Sequence, residues 1–311
     1  MRYDDFRRSD DIEDRRDDSG GMMGGGGGGM GLPIGGGGLG IGTIIVLGLI
    51  SYAFGIDPRI LIGGAEILNG GGQSYQTDRA PSSAKRGAPT DAMGNMISGI
   101  LGEIDDRWSE IFQASGKSYT GPKIVLFRNA TSAGRCGMAQ SAMGPFYCPP
   151  DQKIYLDTGF FREVENRFHG CQGNACKYTA AYIIAHEAGH HVQNLLGIIP
   201  KVTQLQQAAG SKAEANALQV KVELQADCLS GMWTHLEQQK RPNFLEAGDI
   251  DAALTTASAI GDDTLQRQAT GRVVPDSFTH GSAAQRKQWF MTGYQQGNLN
   301  ACNTFAPGAV R

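Results

Sequence analysis

Residues 178–196 read YTAAYIIAHEAGHHVQNLL, and the winding of this stretch decides how the rest of the chain is read. It is too long and too continuously apolar for a half-buried strand, so it is expected as a helix. Wound so, it sets His186 and His190 on one face, one turn apart, with Glu187 beside them. Two imidazoles at that spacing can share one metal ion while the neighbouring carboxylate takes a proton from water. Gly189, inside the motif, costs about 1 kcal/mol of helix propensity relative to Ala, and a small residue there lets another element approach the metal face closely. Gly197 and Pro200 are expected to stop the helix. His191 projects elsewhere and reads as structural.

The third ligand is not a further histidine in the same segment, because position 193 is Gln and position 196 is Leu. Glu223, in the downstream helix segment Glu223-Leu-Gln-Ala-Asp227, is the better candidate. The spacing puts both carboxylates on one helix face, so Glu223 can bind zinc while Asp227 accepts the ring N–H of a ligand histidine. Apolar Val222, Leu224, Ala226 and Leu229 crowd this pair, which argues against two solvated acids. Two histidines and one carboxylate leave the fourth position of a Zn2+ ion open, which is the catalytic kind of site. Glu187 is then the general base for zinc-activated water. His280, in Phe278-Thr-His-Gly-Ser282, lies in a loop leading into a capped helix and is a candidate oxyanion donor or substrate-binding group. His169 and His235 have no such context and read as structural.

Outward from the motif, Asp91 is expected to cap a helix reaching about Ser115, with Met93, Met96, Ile97, Ile100, Leu101, Ile104, Trp108 and Ile111 at helical spacing. Residues 123–127 (KIVLF) and 153–156 (KIYL) read as short strands, and the Gly/Pro-rich segment between them as loop or edge strand. Residues 159–168 read as helix or loop. Further helices are expected at 211–239 and 249–260, and from Ser282 to about Gln296, with capping boxes at Ser211/Glu214 and Ser282/Gln285. The fold class is α+β, mainly helical, with a small sheet ahead of the motif helix.

The formal net charge of −3 resides in the first 21 residues, which hold five Arg against eight acids and leave 23 basic and 23 acidic residues elsewhere. No basic surplus points to nucleic acid. Of 45 glycines, many crowd residues 20–42, so residues 1–38 read as a disordered charged and Gly-rich tail. Residues 39–56 (LGIGTIIVLGLISYAFGI) carry no charge and are expected as a single transmembrane helix, followed by a linker at 57–90 and the folded domain at 91–305. The arginines before the span predict a cytoplasmic N-terminus in the inner (plasma) membrane. All six cysteines follow the span, which predicts disulfides and an extracytoplasmic, periplasmic domain. Proximity suggests Cys136–Cys148, Cys171–Cys176 and Cys228–Cys302 among fifteen pairings.

HEAGHHVQ at 186–193, ELQADC at 223–228, THGSAAQR at 279–286 and the Arg/Asp-rich start followed by glycines resemble the neutral zinc metallopeptidase family of bacterial membrane proteins, over essentially the whole chain. More distantly, the motifs look like HtpX-type gluzincin peptidases. That likeness implies a zincin-like (gluzincin) catalytic domain whose edge strand aligns the substrate backbone, with Glu223 as zinc ligand and Asp227 behind a histidine. One span instead of several, together with the cysteines, sets this chain apart, so intramembrane substrates do not carry over. The expected function is a membrane-anchored zinc endopeptidase acting on peptide or protein. A catalytically inert zinc-containing scaffold of the envelope and a zinc amidase of cell-wall peptides are the alternatives.

Overall fold

The structure, a computed structural model, describes residues 1–18, 85–87, 89–166 and 175–310. The expected span, the Gly-rich tract, most of the expected linker, His169 and Cys171 lie outside these residues. Among the described residues no helix is long and apolar enough to cross a membrane.

Strands β1 (Ile12–Asp14), β2 (Lys85–Arg86), β3 (Lys123–Phe127), β6 (Phe146–Cys148) and β7 (Lys153–Asp157) form one sheet in the order β2-β1-β3-β7-β6. A small hairpin of β4 (Ala130–Ser132) and β5 (Met138–Gln140) lies apart from it. β1, β3 and β7 run parallel, and β2 and β6 close the two edges antiparallel. The run KIVLF suits its central place, because alternate residues feed two cores. Ile124 and Leu126 join the large helical core, whereas Val125 and Phe127 pack with Ala133, Ala139 and Cys148 beneath the hairpin.

Around the sheet stand α1 (Ala92–Ala114), α2 (Phe160–Asn166), α3 (Ala175–Leu195), α4 (Ile198–Gln207), α5 (Lys212–Lys240), α6 (Asp249–Ala259), α7 (Asp262–Thr270) and α8 (Ala283–Gln296). The mainly helical α+β class is therefore as read. α3 and α5 pack side by side at the motif, where a Cβ on Gly189 would come within 3.3 Å of the Ala226 backbone. α5 and α8 approach more closely still. A Cβ on Gly231 would meet the Phe290 carbonyl oxygen at 2.0 Å, and one on Gly293 the Cys228 carbonyl oxygen at 1.9 Å. Only glycine permits that reciprocal backbone contact, which seats the second half of α8 against the middle of α5.

Local signals held in part. Asp91 caps α1 through the Gly94 amide, and the Ser282/Gln285 box closes reciprocally on α8. At α5 only half the box forms: Ser211 accepts from the Glu214 amide, but the Glu214 carboxylate takes the Gly210 amide instead. Gly197 ends α3 as expected, but Pro200 does not keep the next residues out of helix. It occupies the first turn of α4, where no backbone N–H is needed. α7 has no counterpart in the sequence reading.

The larger correction concerns residues 1–18, expected as part of a disordered tail. They are built into the domain: Met1, Phe6 and Ile12 are buried in the main core, and β1 is hydrogen-bonded on both sides. The charges that suggested disorder are paired over long range. Arg7 binds Asp106, Arg16 binds Asp14 and Asp91, Lys153 reaches Glu13, and the Met1 amine meets Glu246 and Asp249. The folded unit thus includes residues N-terminal to the expected 91–305 boundary. β1 also fixes a topological fact. Asp14 is the register neighbour of Lys85, so the chain leaves and re-enters the sheet at adjacent points.

Cys136–Cys148 and Cys228–Cys302 are disulfides, as proximity suggested. Cys176 is disulfide-bonded too, while its expected partner Cys171 lies outside the described residues.

Candidate metal centre

α3 and α5 bring His186, His190 and Glu223 to one point, with all three ligand atoms within 4.8 Å of one another. Glu223 Oε2 stands 3.3 Å from His186 Nε2 and 3.4 Å from His190 Nε2. Bonds of about 2.0–2.1 Å to a tetrahedral zinc place neighbouring ligand atoms about 3.3–3.4 Å apart. Both distances to Glu223 match this, the histidine pair lies within 4.8 Å, and a donor set of two imidazoles and one carboxylate suits the ion.

Each ligand is held by a dedicated partner. His186 Nδ1 donates to Asp227 Oδ1 at 2.9 Å, which leaves Nε2 as the lone-pair nitrogen toward the site. His190 Nδ1 donates to Gln193 Oε1 at 2.8 Å, and the Gln193 amide nitrogen donates onward to the Val222 carbonyl and to Gln225. The remaining oxygen of Glu223 accepts from Gln219 at 2.8 Å. Asp227, fully buried, also accepts from the Tyr182 hydroxyl at 2.7 Å and from Arg286 through Nε at 2.8 Å and Nη2 at 3.0 Å.

The electrostatics follow from this wiring. Burial works against charge on His186, but the Asp227 carboxylate overrides it and lifts the metal-free ring to about 10. Burial likewise opposes ionisation of Asp227, yet Arg286 and His186 hold its carboxyl well below the usual range. Burial pushes the Glu187 carboxyl up, against the pull of His186 and His190.

These groups open into a cleft of about 610 Å³ whose wall includes Met143, Phe160, Ile183, Ile199, Val202 and Leu265. His186, Glu187, His190, Glu223, His280 and Arg286 are its only charged or imidazole side chains among the described residues. Phe146 and Tyr147 of the edge strand β6 line the same cleft. His280 stands at its rim with its side chain half exposed. The structure therefore assembles every metal-site residue read from the sequence and adds four that were not read: Tyr182, Gln193, Gln219 and Arg286. His191 is structural, tied to the Tyr147 hydroxyl and the Thr120 carbonyl. His235 is likewise engaged, by the Tyr294 carbonyl and Gln239.

Residues 1–305 match the family described as "Putative neutral zinc metallopeptidase". The chain belongs to that family. The match takes in residues 1–18, in keeping with their place in the sheet. Uncharacterized protein YpfJ of Escherichia coli K12 is 45% identical over 305 residues, covering 98% of this chain and 99% of its own length. Uncharacterized protein Rv2575 of Mycobacterium tuberculosis is 42% identical over 212 residues, 65% of this chain and 67% of its own. No solved structure matches the chain.

Proposed function

We propose that this protein is a zinc-dependent endopeptidase of the cell envelope. The observation that carries the reading is the ligand set His186, His190 and Glu223 in an open cleft, with Glu187 beside it and every ligand oriented from behind. Bound zinc would supply a Lewis acid that acidifies water and polarises a peptide carbonyl. Glu187 takes the proton of the attacking water and returns it to the departing amine nitrogen. His280, at the rim, donates to the oxygen on which negative charge develops. The free edge of β6 pairs with the extended substrate backbone.

The lining supports internal cleavage over trimming of chain ends. A free carboxylate or amine of a substrate terminus needs a counter-charge, and apart from His280, which Asp262 holds at the rim, each charged group of the cleft belongs to the metal site. Arg286, the one permanent cation, is bound to Asp227 and Tyr182. The apolar stretch 39–56 supports attachment to a membrane. The disulfides support an oxidising compartment.

The test is Glu187→Gln. Zinc should remain bound while cleavage of a denatured protein and of internally quenched, end-blocked peptides disappears. Retention of full proteolysis by the variant would refute the reading. Hydrolysis of purified cell-wall peptides in preference to denatured protein would establish the amidase alternative instead.

A further inference from the structure

The loop that carries His280 has no regular structure of its own, yet one side chain from another element holds its backbone. Asp262 is the first residue of α7. Its Oδ2 accepts from three successive amides, those of Thr279 at 2.7 Å, His280 at 2.6 Å and Gly281 at 3.0 Å. Its own backbone N–H donates to the Gly281 carbonyl at 3.0 Å. The other carboxylate oxygen, Oδ1, stands 3.5 Å from His280 Nδ1. The side chain is only 12% exposed, so these bonds are shielded from water.

We propose that Asp262 is the positioning residue for His280, fixing both the backbone that carries the ring and the ring edge that faces the cleft. This rests on the reading of His280 as a group that acts on the substrate. Three consecutive N–H groups directed at one anionic oxygen form charge-assisted bonds that leave the intervening backbone little freedom. With Nδ1 turned toward Asp262 and the Thr279 hydroxyl, Nε2 is the ring nitrogen left for a substrate. The neighbouring Asp263 provides an internal control. Its Oδ1 accepts the Ala283 amide at 2.7 Å, the same kind of clamp one step along, without reaching the histidine.

The experiment uses the full chain, zinc-free and zinc-loaded. In the zinc-free protein, amide hydrogen exchange at Thr279, His280 and Gly281 is slow in the wild type and about tenfold faster or more in Asp262→Ala. In the zinc-loaded protein, Asp262→Asn lowers kcat on an end-blocked peptide by about tenfold or more, with KM nearly unchanged. Because it acts through the histidine, Asp262→Asn combined with His280→Ala is no slower than His280→Ala alone. Asp263→Asn lowers the melting temperature but keeps kcat. Multiplicative losses in the double variant would overturn the proposal, as would unchanged exchange in Asp262→Ala. Full activity of His280→Ala would overturn it too, by removing the role that Asp262 serves. A wild type without proteolysis would refute the peptidase reading itself, and the exchange measurement would still decide whether Asp262 holds the loop.

Discussion

Asp227 and Glu237 are both fully buried acids on α5, and their surroundings have driven them in opposite directions. Asp227 receives donors from three other side chains, and Arg286 and His186 keep it ionised against its burial. Glu237 has Arg241 on one oxygen at 2.8 Å, while its other oxygen lacks a hydrogen bond although Arg107 Nε stands 3.4 Å away. Burial and the nearby Glu103 raise its carboxyl to about 7. Glu103 Oε2 and Arg107 Nε in the same cluster likewise make no hydrogen bond among the described residues. A fully satisfied buried charge can serve as rigid support for a metal ligand, whereas a partly satisfied one is a cost of burial that varies with pH.

The largest effect is expected at the satisfied end. Asp227→Asn leaves Arg286 as a buried cation without its counter-ion and should cost about 3–5 kcal/mol in chemical denaturation, with loss of zinc. A change below about 1 kcal/mol would erase the distinction between the two acids. Gln193→Leu removes the acceptor of His190 Nδ1–H and should weaken zinc binding by about 10–100-fold in chelator competition, with the fold intact. Since His186 holds its proton up to about 10 without metal, zinc must displace it. Zinc affinity should therefore rise about tenfold per pH unit between pH 6 and 8, with proton release seen by calorimetry in different buffers. The smallest effect lies at Glu237. Between about pH 4.5 and 7 the folded protein keeps a proton there that the unfolded chain has released, so stability falls as pH rises through that window. Glu237→Gln should flatten the fall by about 1 kcal/mol per pH unit inside that window, measured as unfolding free energies at pH 6 and 7.

The same contrast explains what could be read from the sequence. Features encoded within one helical turn were legible: the Asp91 cap, the Ser282 box, the His186/His190 pair and the Glu223/Asp227 pair. Features that depend on partners far along the chain were not. The charges at the N-terminus suggested a solvated tail, because their counter-ions lie between residues 91 and 249. Arg286 did leave a trace. It shares a helical face with the buried Trp289, Phe290 and Gly293, and an arginine on an apolar stripe implies a buried partner. Gln193, three residues after His190 on the same helix, was within reach by the same spacing logic. Asp262 left no local sign beyond the Gly261-Asp262-Asp263 turn, since the amides it gathers belong to another segment.

The central claim is that His186, His190 and Glu223 form one zinc site. Metal analysis of the purified full-length protein beside Glu223→Ala tests it most directly. Stoichiometric zinc in the wild type and its loss in a variant that remains folded is the predicted result. Equal zinc in both would remove Glu223 from the ligand set and contradict the account.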